Sequence, residues 1–186
     1  MIINLHGFTG HGTNSKYDWL KANLPEREIF APDLNYAATP PEEILSFLAE
    51  RVSSYLATSP PDSPKLGILA SSLGGFFGRC LNLLFPTVRT VLINPALTPF
   101  ILLRDQLDCR AYLALFARLT FTDDDLPLEL NQLRVIIGEQ DELLDHERLT
   151  RPLLPPNFNH VQVIQGGVHR LQLTPEVGAL LMSFLA

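Results

Sequence analysis

Apolar positions along this chain come in short continuous runs, separated mostly by stretches in which they recur at helical spacing. Ile2 to Leu5, Glu28 to Ala31, Lys65 to Ala70, Arg89 to Ile93, Leu133 to Ile137 and His160 to Ile164 each read as a strand. Most are closed by turn residues, such as His6-Gly7, Pro32, Asn94-Pro95, Gly138 and Gly166-Gly167. Brief apolar runs bounded this way are what strands covered on both faces look like.

The intervening segments carry helix signals. Residues 14–24 predict a helix, with Ser15-x-x-Asp18 as its N-terminal cap. Thr39-Pro40-Pro41-Glu42 reads as a capping box with prolines in the first turn, followed by Ile44, Leu45, Leu48, Val52, Tyr55 and Leu56 at helical intervals. Leu73 to Leu84 predicts another helix. The last is expected to open with Thr174 as N-cap and Pro175 at the first position, burying Val177, Leu180, Leu181, Phe184 and Leu185.

Six strands alternating with helices imply right-handed crossovers and a mainly parallel six-stranded sheet with helices on both faces, an α/β architecture. One stretch breaks the alternation. Residues 96–130 contain Phe100 to Leu107, Ala111 to Leu119 and Leu126 to Leu130, too much for a plain crossover and expected to form a small helical cap. A chain of 186 residues suits one domain, 1–186, with a sizeable core.

Composition narrows the function classes. Apolar residues are 46% and charged residues 18%, ordinary globular usage. The net charge of −6 comes with no basic cluster, which excludes nucleic acid as a partner. Cys80 and Cys109 have no metal-ligand spacing and give no disulfide framework, and Cys80 reads as a small buried residue. His11, His146 and His160 are scattered and make no metal motif. Gly7, Gly10 and Gly12 lack the Gly-Lys-Ser/Thr ending of a phosphate cradle. Asp123-Asp124-Asp125 reads as charge at a helix N-terminus, not as a metal site. With no basic leader, and no apolar run near the roughly 20 residues of a membrane span, the expectation is a cytoplasmic protein with no membrane partner.

The candidate chemistry sits at the strand ends. Ser72 lies where the Lys65–Ala70 strand meets the Leu73–Leu84 helix, in Ala70-Ser71-Ser72-Leu73-Gly74-Gly75. A serine on a sharp strand-to-helix turn flanked by small residues is a nucleophile elbow, although Ala70 stands where the G-x-S-x-G pattern has its first glycine. Acyl transfer by serine needs a base and an acid that orients the base. His169 follows the last strand and its Gly166-Gly167, and is the candidate base. Asp141, just past Gly138, is the candidate acid, with Glu139, Glu142 and Asp145 as rivals in the same acidic loop. Asn94-Pro95 closes the strand before that and offers no carboxylate. The backbone N–H groups of Phe8, after His6-Gly7, and of Leu73, after the serine, are the candidate oxyanion donors. His6 is expected to fix its loop by hydrogen bonding. Phe8, Thr9, Leu97, Phe100, Ile101, Tyr112 and Leu143 are expected to line an apolar acyl pocket.

The segments Leu5-His6-Gly7-Phe8, Ser71-Ser72-Leu73-Gly74-Gly75, Leu92-Ile93-Asn94-Pro95-Ala96, Gly138-Glu139-Gln140-Asp141-Glu142 and Gly166-Gly167-Val168-His169 resemble those of the small bacterial α/β-hydrolase family of YqiA-like esterases. The resemblance runs nearly the whole length. It implies a compact α/β-hydrolase fold whose sheet begins at the strand bearing the oxyanion loop. It also implies esterase activity on short acyl chains with Ser72, Asp141 and His169 as the triad. Ala70, and Val168 where a polar residue often precedes the histidine, depart from the pattern. The expected function is a serine carboxylesterase acting on a small-molecule acyl ester, without metal or cofactor. The alternatives are an acyltransferase or thioesterase using the same triad, and a non-catalytic module of this fold that binds a small molecule or protein.

Overall fold

The computed structural model describes residues 1–119, 131–154 and 158–186. Its sheet has six strands, β1 (Ile2–Leu5), β2 (Ile29–Phe30), β3 (Gly67–Ser71), β4 (Arg89–Ile93), β5 (Leu133–Gly138) and β6 (Val161–Ile164). They are all parallel, in the order β2-β1-β3-β4-β5-β6. The four inner strands are almost wholly buried, whereas the edge strands β2 and β6 are half-covered. Continuous apolar runs suit strands with helices on both sides.

Side chains alternate between the two faces. Ile3, Leu5, Ile68, Ala70, Leu92, Val135 and Ile137 join a core with the helices α2 (Pro41–Thr58), α3 (Leu73–Leu84) and α5 (Cys109–Leu119). Ile2, Leu69, Val91, Ile93 and Ile136 join a second core with α1 (Ser15–Asn23) and α7 (Pro175–Leu185). The short helices α4 (Pro99–Leu102) and α6 (His146–Leu149) lie in the connections after β4 and β5.

Two predicted caps differ. Asn14, one residue ahead of the expected cap, is the N-cap of α1, its Oδ1 accepting from the N–H groups of Lys16 and Tyr17 at 2.9 and 3.2 Å. Only a side chain placed before the first helical residue reaches those donors. For α2 the cap is Pro40, with no side-chain hydrogen bond, and Glu42 and Glu43 offset the positive helix end instead. Thr174 caps α7 as its sequence predicts, accepting from Val177 N–H. Of the expected cap segment, α4 and α5 form and pack on each other, while Leu126 to Leu130 and Asp123 to Asp125 fall outside the described residues. Cys80 and Cys109 are free, and burial pushes the Cys80 thiol up to about 12.

The chain order reverses between β1 and β3, which are neighbours in register with Leu5 opposite Ala70. Ligands in open α/β sheets bind at such a switch point, beyond the carboxyl ends of the strands. The loops that leave β1 and β3 there are His6-Gly7-Phe8 and the turn at Ser72.

Candidate active site

Ser72 holds φ 51° and ψ −123°, a left-handed conformation unfavourable for a residue with a Cβ. Its surroundings enforce the turn. Ser72 N–H donates to Ile93 O at 3.1 Å, and Ser72 O accepts from Gly75 and Ala96 N–H at 2.8 and 2.9 Å. The helix starts so close to β1 that a Cβ on Gly74 would lie 2.5 Å from His6 O. Ala70 fits in place of the usual glycine because the facing helix position is Gly78, where a Cβ would come within 2.6 Å of the Ala70 Cβ.

Ser72, His169 and Asp141 stand in one hydrogen-bonded chain. The Ser72 Oγ is 3.0 Å from His169 Nε2, and His169 Nδ1 is 3.0 and 2.9 Å from the two Asp141 carboxylate oxygens. The Asp141 side chain is 1% exposed. Its Oδ1 also accepts from the N–H groups of Leu143 and Leu144, both at 2.9 Å. Burial alone would raise its pKa, but the bonds from His169, Leu143, Leu144 and His146 outweigh that and hold the carboxyl below its ordinary range. An ionised Asp141 places the His169 proton on Nδ1 and leaves Nε2 to accept from the serine hydroxyl.

The rivals of Asp141 do other work. Glu142 Oε2 accepts the His169 N–H at 2.9 Å and Glu139 Oε2 accepts the Gly166 N–H at 3.0 Å. Asp145 caps α6, accepting from Arg148 N–H. The acidic loop is thus bound along its length to the loop that carries His169.

Two residues at this site escape the sequence reading. His146, set aside there as one of three scattered histidines, places Nε2 2.9 Å from Asp141 Oδ2. Its Nδ1 is 2.9 Å from the Thr150 Oγ1. Burial lowers its pKa, against the opposing pull of Asp141. Facing a carboxylate, Nε2 donates its hydrogen to Asp141, while the Thr150 hydroxyl beside Nδ1 also lies 3.3 Å from Pro95 O. Asn94, read from the sequence as the end of a strand that offers no carboxylate, is buried with φ 42°. Its Nδ2 donates to Val168 O and His169 O at 3.0 and 2.9 Å, and its Oδ1 accepts from Gly138 N–H at 2.7 Å. The signals available were a polar residue ending a buried strand, and a histidine following a helix-capping Asp in the acid loop.

The loop after β1 is held by His6, as expected. Its Nδ1 lies 2.6 Å from Gly7 O and its Nε2 accepts from Leu34 N–H at 2.9 Å, while Tyr36 Oη donates to His6 O at 2.7 Å. Among the described residues the backbone N–H groups of Phe8 and Leu73 donate no hydrogen bond.

A cleft of about 980 Å³ opens beside Ser72 and His169. Of the residues expected to line it, Phe8, Thr9 and Leu143 do. Leu97 and Tyr112 are core residues instead. Tyr112 is 1% exposed, packed against Phe76 and Phe77, and bonded through its hydroxyl to Tyr36 O. Phe100 packs on Phe116, and Ile101 points to solvent. The β4–β5 connection reaches the cleft through Ala96, Leu102 and Leu103. Helical geometry puts the face of α4 that carries Leu102, not the one that carries Ile101, toward the site.

This is the architecture of the α/β-hydrolase fold. The fold is shared with Est1E from Butyrivibrio proteoclasticus (TM-score 0.69, 16% identity, 98% of this chain and 85% of that one). It is shared also with an esterase of Pyrococcus furiosus (0.61, 18%, 100% and 82%) and with the monoacylglycerol lipase of Paleococcus ferrophilus (0.65, 14%, 99% and 93%). The chain belongs to the YqiA-like family described as uncharacterised protein family UPF0227, whose model matches residues 1–177. Among the described residues no helix is long and apolar enough to cross a membrane.

Proposed function

We propose that the protein is a serine hydrolase that cleaves small-molecule carboxylic esters through an acyl-enzyme. The observation that carries this reading is the continuous hydrogen-bonded chain from the Ser72 hydroxyl through His169 to Asp141, set on a left-handed turn at the sheet's switch point. Ser72 Oγ attacks the acyl carbonyl while His169 Nε2 takes its proton. Asp141 keeps the imidazole in the required tautomer and stabilises the imidazolium. The unspent N–H groups of Phe8 and Leu73 receive the oxyanion, a contribution of about 3 kcal/mol per donor to lowering the barrier. His169 then protonates the leaving alcohol, and water, activated by the same imidazole, releases the acid and regenerates Ser72. The apolar wall of Phe8, Leu102, Leu103 and Leu143 suits the hydrocarbon part of a short acyl chain.

That a solved relative of the fold, Est1E, carries bound ferulic acid, and that others are described as esterases, supports the choice of ester chemistry. A module that only binds ligands would have no use for the left-handed backbone at Ser72, which costs about 1–3 kcal/mol. The test is hydrolysis of p-nitrophenyl butyrate by the purified protein beside Ser72→Ala. Turnover by the wild type, lost in the variant, is expected. Equal rates in the two would remove Ser72 from the reaction.

A further inference from the structure

The charges that face the cleft run against the charge of the chain. The sequence has 20 Asp and Glu against 14 Lys and Arg, yet among the described residues lining the cleft there is no carboxylate. Two full cations do line it, Lys16 in the first turn of α1 and Arg170 immediately after His169. Among the described residues neither side chain makes an ion pair or a hydrogen bond. Lys16 is half-buried, and its pKa is lowered by that burial and by the nearby Arg170 charge.

Such an arrangement is unfavourable by itself. The like charges of Lys16 and the exposed Arg170 repel, partial burial removes hydration from Lys16, and a lysine in a first helical turn faces the positive end of the helix dipole. An anion in the cleft relieves all three. Thr13 and Ser15 also line this wall and bring hydroxyl donors, which suit carboxylate or phosphate oxygens. Trp19, from the next turn of α1, and Leu173 complete it with apolar surface.

We propose that Lys16 and Arg170, with the Thr13 and Ser15 hydroxyls, form an anion subsite of the cleft, so that the preferred substrates are esters carrying a carboxylate or a phosphate. The assignment of substrates rests on the serine-hydrolase reading; the subsite itself does not. The ester carbonyl sits at Ser72, the charged end lies against the α1 wall, and an apolar spacer joins them.

Two matched pairs of esters separate the sources of the charge. p-Nitrophenyl hemiglutarate against p-nitrophenyl valerate places a carboxylate on the acyl side. Butyryl glycerol phosphate against monobutyrin places a phosphate on the alcohol side. The charged member of at least one pair is expected to have a kcat/KM about tenfold higher, the size of a lost charge-assisted bond. That preference should shrink with added salt. It should collapse in Lys16→Gln/Arg170→Gln and persist in Lys21→Gln, a cation on the same helix outside the cleft.

Thermal melting with inorganic phosphate or glutarate, against potassium chloride at equal ionic strength, reads the subsite without catalysis. Stabilisation of the wild type that is lost in the double variant supports it, even if no ester is cleaved, and then only the hydrolase reading falls. No preference in either ester pair, with no anion-specific stabilisation, overturns it.

Discussion

Two histidines share one carboxylate here, and their fates differ. His169 and His146 lie at equal distance, 2.9 Å, from Asp141 Oδ2. His169 stands on a loop that opens to the cleft and spends its second nitrogen on Ser72. His146 is buried under the acid loop and spends its second nitrogen on Thr150. A carboxylate partner alone does not make an imidazole a base. What separates the two is where the other nitrogen points, and whether a substrate can reach it. On this account His169 moves the proton and His146 is a positioning residue that keeps Asp141 ionised and aimed.

Substitutions break the comparison in a graded way. His169→Phe is expected to lower kcat on p-nitrophenyl butyrate by about 10⁶-fold, the effect of losing a member of such a unit. Asp141→Asn acts on both rings and is expected to cost about 10⁴-fold, through the wrong His169 tautomer. Adding Asn94→Asp to it should restore nothing. A carboxylate there faces the Val168 and His169 carbonyls with no proton to donate, whereas recovery of rate would make the two strand ends interchangeable acids. His146→Phe leaves the His169 to Ser72 bond in place and only loosens the acid, so kcat should fall about a hundredfold at most, with KM little changed. A loss as large as that of His169→Phe would give His146 a part in the chemistry itself.

The smallest effect is on stability against pH. Burial holds the His146 imidazole below its ordinary value, and the same holds for His6. The unfolded chain then takes up protons that the folded chain refuses. The stability due to these rings is complete above about pH 6.5 and is lost as the pH falls from there through their folded-state values. The melting midpoint should therefore drop on acidification from pH 7.5 to 5.5, and drop less steeply in His146→Phe. A steeper drop in the variant would mean that His146 is charged in the folded protein.

Much of the fold is legible in the sequence because parallel strands covered on both faces must be continuously apolar. That rule finds the four inner strands to within two residues at each end. It overextends β2, expected over Glu28 to Ala31 and seen as Ile29–Phe30, because an edge strand pairs on one side only. The strand-end rule likewise singles out Ser72, His169 and the acid loop that carries Asp141. It cannot say which carboxylate of the acid loop meets the ring, since that depends on the loop hydrogen bonds of Glu139 and Glu142. Nor could it find Asn94 or His146, whose roles are three-dimensional accounts of buried donors and acceptors. The lining of the cleft was least legible. Tyr112 and Leu97 are as apolar as a pocket requires, but so is the core they join.

The central claim is that the chain Ser72, His169, Asp141 activates the serine. Labelling of the folded wild type by a fluorophosphonate, with the modified peptide identified by mass spectrometry, tests it most directly. The account predicts a single adduct on Ser72, absent in Ser72→Ala, greatly weakened in His169→Ala and slower but present in His146→Phe. An unlabelled wild type, or an adduct on another serine, would contradict it.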